Sequence, residues 1–223
     1  MRHLRKRVLT KKVHLYFLFL IILDVILITI MNIRQGYQGH IAMGYSQTEL
    51  LIAFGIWILQ IVWFMSKYLE YYTANIILRY MWIDKLKGDV IKGCIVISAY
   101  FVLIYHLLFL FTSLILGYDM DLNGFFYLLS NMVLQFCAFL MVLLLMSIFY
   151  VRNFQKKIAA LKVLVCYFLI DFFYPPFRYF FIALPENEGD ALRKIITILC
   201  INLVLLIFLL NVKEGDIIFE DQT

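Results

Sequence analysis

Apolar stretches of membrane-crossing length recur along this chain, and no other feature constrains its fold as strongly. They run from about Val13 to Ile33, Glu49 to Met65, Cys94 to Gly117, Phe125 to Val151, Val163 to Leu184 and Ile195 to Val212. A hydrocarbon layer of roughly 30 Å takes about 20 residues of helix to cross. No water is available there, so a spanning segment must satisfy its own backbone hydrogen bonds, and a helix does so within itself. Hydrophobic residues make up 64% of the 223 residues, against roughly 45–50% in soluble proteins. Charged residues fall to 16%, against about 25%. A soluble domain of this length cannot hide that much apolar surface. The same figures exclude a disordered chain and a disulfide-dense secreted module. The expected fold is an all-α polytopic membrane protein with six transmembrane helices, forming a single transmembrane domain over residues 1–223. Loops this short leave no room for a soluble catalytic domain.

Charge sets the expected orientation. With the N-terminus in the cytoplasm, 16 of the 20 Lys and Arg residues fall on the inner side. Only Arg34, Arg178, Arg193 and Lys194 are left for the outer side. Basic residues in short loops stay on the cytoplasmic side, so both termini are expected inside. The net charge of +5 therefore reports topology and not nucleic-acid binding. The bilayer itself is the first expected partner, with the basic residues spread over the inner headgroup region. Residues 1–12 read as a basic interfacial segment, and residues 213–223 as a cytoplasmic tail. No small-residue cleavage site follows the first apolar stretch, so it reads as an uncleaved span.

The loop over residues 67–93 is more than a connection. Leu69, Tyr72, Ile76, Tyr80 and Ile83 recur at steps of three or four, while Glu70, Arg79, Asp84, Lys85 and Lys87 fall mostly on other faces. That is an amphipathic helix, expected to extend the second span, bend along the inner surface and end at Gly88. A surface helix without any partner has the same pattern.

Taken together, the short basic N-terminus, the six apolar stretches and the segment Asn75 to Gly93 (NIILRYMWIDKLKGDVIKG) resemble the permease subunit of an ABC transporter of the type-2 exporter class. The likeness is to the compact bacterial kind that exports or resists peptides. In that family an equivalent loop forms the coupling helix that docks on the ATPase. The resemblance places Arg79, Trp82 and Lys85 at that contact, and the charged face of the same amphipathic helix adds Asp84. It also implies a fifth span broken at its outer end, where Pro175 and Pro176 remove two backbone donors and would form a gate. The chain holds no G-x-x-x-x-G-K-[ST], so ATP and Mg would be bound by separate ATPase subunits, and this chain would not itself be an enzyme. A second permease copy or a paralogue is implied as well, in a bacterial plasma membrane. The other reading is a stand-alone membrane immunity or assembly protein with no ATPase.

Ionisable groups at membrane depth mark possible functional sites. Asp24, His106 and Asp171 are candidates for a translocation path, accompanied by Gln60, Asn131 and Gln135. Interhelical hydrogen bonds that hold a bundle together explain the same residues. The two aspartates lack the Gly-x-Gly-Asp context of a membrane aspartyl protease, and no H-E-x-x-H is present. Cys94, Cys137, Cys166 and Cys200 all lie in or beside apolar runs without a C-x-x-C, which suits helix packing. The aromatic cluster from Phe172 to Phe181 suits either a gate or plain packing.

Overall fold

The computed structural model describes residues 47–70, 83–115, 122–153, 155–173 and 188–212, together with Leu15, Leu18, Phe19, Ile22, Leu23 and Ile26 of the first apolar stretch. Among these residues the protein is helical, with no strand. Its helices are α1 (Gln47–Leu69), α2 (Ile83–Ile115), α3 (Leu122–Asn153), α4 (Lys156–Phe173) and α5 (Glu188–Asn211). Among the described residues, three stretches are long and apolar enough to cross a membrane: Asp84–Leu108, Leu128–Asn153 and Gly189–Asn211. A shorter apolar stretch, Ile56–Leu69, lies in α1.

At the centre of the bundle, α3 packs against each of the other four helices. Its sequence explains this place. From Phe136 to Val151 Ser147 is its one residue outside the apolar and aromatic types, and Leu143, Leu144, Met146, Tyr150 and Val151 are all buried. A helix apolar all round needs neighbours all round. Trp57 of α1 meets Tyr105 of α2 edge-on at 4.7 Å, and Phe101 of α2 meets Phe139 of α3 edge-on at 5.2 Å. Perpendicular ring pairs of this kind add to the burial of the rings themselves. The peripheral faces are apolar too. Leu103, Leu107 and Phe111 of α2 and Leu203, Ile207 and Phe208 of α5 are exposed, as a helix surrounded by lipid requires.

Side-chain bonds bring five helix ends together. Tyr68, in the last turn of α1, donates to the Asp89 carbonyl of α2 at 3.1 Å. Tyr150 of α3 donates to the Leu69 carbonyl, and Lys87 of α2 donates to the Leu210 carbonyl of α5 at 2.9 Å. Lys156, the first residue of α4, pairs with Glu70 just beyond α1. The C-terminal ends of α1, α3 and α5 and the N-terminal ends of α2 and α4 therefore share one end of the bundle. The five helices alternate in direction.

One sequence expectation needs correction. Gly88 does not end a helix; α2 runs unbroken from Ile83 through Gly88 to Ile115. Glycine weakens a helix by only about 1 kcal/mol, and packing around its neighbours Leu86, Lys87 and Val90 outweighs that. Arg193 and Lys194, just ahead of the sixth apolar stretch, are part of its helix. α5 starts at Glu188 and includes both in its first two turns.

Candidate functional site

The shared end carries most of the described charge. Its Lys and Arg residues are Lys67, Lys85, Lys87, Lys92, Arg152, Lys156, Lys157 and Lys162, against the carboxylates Glu70, Asp84 and Asp89. Glu70 is held by Lys156 and, at 3.4 Å, by Lys67. The hydrogen bond from Lys156 holds the Glu70 carboxyl below the usual carboxylate range; desolvation opposes this and Lys67 adds to it.

Lys87 is the buried member of this set. Its side chain is 4% exposed, whereas its partner Asp84, 3.1 Å away, is 87% exposed. The ammonium also donates to the Leu210 carbonyl, one of the last carbonyls of α5. Carbonyls at a helix C-terminus lack helical donors and carry partial negative charge, so a cation placed there satisfies both needs. Tyr150 likewise donates to a carbonyl at the C-terminal end of α1, whereas Tyr68 donates to one within the first turns of α2 and ties the two helices together. Gly93 makes the Tyr68 contact possible. A Cβ at that position would lie 2.8 Å from the ring Cζ.

Of the expected coupling residues, Asp84 and Lys85 sit exposed on the first turn of α2. Arg79 and Trp82 lie outside the described residues, as do Asp24, Pro175 and Pro176. Asp171 is on the helical backbone of α4. His106 is buried in α2, and its Nδ1 donates to the Val102 carbonyl at 2.8 Å, a bond within its own helix. That bond fixes the proton on Nδ1. Nε2 is buried without a hydrogen-bond partner among the described residues. The Gln135 amide donates to Asn131 at 3.5 Å, one turn earlier on α3. His106 and the Gln135–Asn131 pair thus bond within their own helices.

The interhelical polar bonds involve other residues. Asn202 of α5 donates to the Cys137 carbonyl of α3 at 2.9 Å. Ser147 of α3 donates to the Leu143 carbonyl at 2.7 Å and lies 3.1 Å from Cys94 of α2. Ser147 has one proton, so the Cys94 thiol is the donor to its oxygen. At the opposite end of α5, Asp190 and Lys194 form a buried ion pair at 3.0 Å, with side chains 7% and 0% exposed. A lone amide in the sixth apolar stretch was the available signal for Asn202. Spacing of four residues between opposite charges was the signal for Asp190 and Lys194.

The charged end can do two things chemically. It offers a helix tip bearing Asp84 and Lys85 to a soluble partner, and it offers exposed cations to anions. The chain matches no family model, and no curated protein or solved structure is significantly similar to it.

Proposed function

We propose that this chain is the membrane-spanning subunit of a bacterial ABC exporter, working on a hydrophobic or amphipathic substrate such as a peptide. The observation that carries this reading is the continuity of α2. Its exposed charged tip at Asp84 and Lys85 belongs to the same unbroken helix as the membrane-length stretch Asp84–Leu108. A rigid helix of 33 residues is about 50 Å long, well beyond a hydrocarbon layer of about 30 Å. Force applied at the tip by a partner moves the buried part directly, with no hinge to absorb it. Lys87 carries the displacement to α5 through the Leu210 carbonyl.

In this account Arg79, Trp82, Asp84 and Lys85 meet an ATPase that binds ATP and Mg, and the tip faces the cytoplasm. Both termini lie on the same side, and a second permease copy completes the path. Pro175 and Pro176 form the outer gate, and Asp24, His106 and Asp171 border the path. Reversing charge at Arg79 and Lys85 together (Arg79→Glu, Lys85→Glu) tests the coupling. An ATPase that co-purifies with the native chain should be lost while membrane insertion of the variant is unchanged. Unchanged co-purification and transport would remove the coupling role and favour the stand-alone reading.

A further inference from the structure

We propose that the seam where α3 packs on α4 at the basic end binds the phosphate of an anionic phospholipid, held by Arg152 and Lys162. The Lys162 Nζ lies over the Phe149 ring of α3, 6.0 Å from its centroid. This directs the Lys162 side chain of α4 across to α3. Arg152 stands three residues after Phe149 on α3, so the two are neighbours on one face of that helix. One cation thus lies over the ring, and a second, from the other helix, starts one helical turn from it. Both are exposed, and neither meets a carboxylate among the described residues. Elsewhere at this end Glu70 and Asp84 are each engaged by lysines. The unmatched charge along this seam is positive and calls for an anion.

The surroundings favour a lipid over a free phosphate. Val165 and Leu169 follow Lys162 at steps of three and four along α4, and both are exposed. Lys162 therefore heads an exposed apolar stripe about 10 Å long, against which the first part of an acyl chain can lie. Arg152 directly follows the apolar run of α3 that ends at Val151, which puts its guanidinium at the level where headgroups begin. A phosphodiester lipid uses the charges and the stripe together, whereas inorganic phosphate uses the charges alone. The inference needs the bundle to sit in a bilayer; it does not need the chain to be a transporter.

Native mass spectrometry of the purified full chain, released from detergent with dioleoylphosphatidylglycerol or dioleoylphosphatidylcholine, tests this. The native chain should retain phosphatidylglycerol in preference to phosphatidylcholine. Arg152→Gln with Lys162→Gln should weaken that retention on the order of tenfold or more, given the contribution of each basic side chain at an anionic surface. The charge-matched variant Lys85→Gln with Lys92→Gln should retain it. Equal retention of the two lipids, equal loss in both double variants, or displacement by millimolar inorganic phosphate would each overturn the site. Helix content by circular dichroism checks that the Arg152/Lys162 variant folds. If it does not, Arg152→Lys with Lys162→Arg, which keeps both charges, must retain the lipid or the proposal fails.

Discussion

Lys85 and Lys87 are two residues apart and in opposite situations. Lys85 is exposed, whereas Lys87 is buried and bonded to Asp84 and to the Leu210 carbonyl. Removing a charged donor from a buried acceptor is expected to lower stability by about 1.5–3 kcal/mol. Lys87→Met keeps the stem and removes the ammonium, so its unfolding temperature in detergent should fall clearly. Lys85→Met should stay within about 0.5 kcal/mol of the native chain. Equal effects would contradict the capping of α5. Glu70 offers a second test, through pH. Its carboxyl is held below the ordinary value of 4.5, chiefly by the Lys156 hydrogen bond. A depressed carboxylate contributes stability that is present above the unfolded value and lost as pH falls through the folded one. Glu70→Gln should therefore be less stable than the native chain at neutral pH, and the gap should close below pH 4.5. Glu70 is exposed, so salt should also shrink the gap. Such roles were poorly legible in the sequence. A charge count recognises the sign of Lys87 and Lys194 but not that both are buried. It likewise treats His106 and Asn202 alike as polar residues in apolar runs, although one bonds within its helix and the other across two.

Two glycines in α2 show how packing and not propensity decides a helix. Gly88 has no atom within 4 Å of the place a Cβ would occupy, whereas at Gly93 that place is taken by the Tyr68 ring. Gly88→Ala should stabilise the protein by about 0.5–1 kcal/mol, since only the backbone entropy of glycine is removed. Gly93→Ala must displace Tyr68 and its bond to Asp89, and should destabilise by about 1–3 kcal/mol. In a Tyr68→Ala background the same Gly93→Ala change should be nearly neutral. Thermal unfolding of the four variants measures both, and a destabilising Gly93→Ala in that background would show that Tyr68 is not the obstacle. The expected end of the coupling helix at Gly88 failed for a related reason. Stop signals are local, and neither the buried Leu86, Lys87 and Val90 nor the open space beside Gly88 can be read from sequence order. Helix existence was far more legible than helix ends. The second to sixth apolar stretches each overlap a described helix, but α2 begins 11 residues before Cys94, and α4 seven before Val163.

Across the molecule, one end gathers the basic residues and the other holds the Asp190–Lys194 pair. The alternation of the helices was legible because the basic residues cluster after every second apolar stretch. The bonds of Tyr68, Lys87, Tyr150 and Lys156 independently bring those same clusters to one end. Coupling to an ATPase requires that end to face the cytoplasm. Labelling with a membrane-impermeant maleimide in intact cells tests this most directly, in a variant whose Cys94, Cys137, Cys166 and Cys200 are replaced by alanine. Single cysteines are then introduced as Lys85→Cys and Lys157→Cys at the basic end and Gly189→Cys at the other, all at exposed positions. Label is expected at position 189 in intact cells, and at positions 85 and 157 only after the cells are opened. Label at 85 and 157 from outside, with 189 protected, would contradict this orientation.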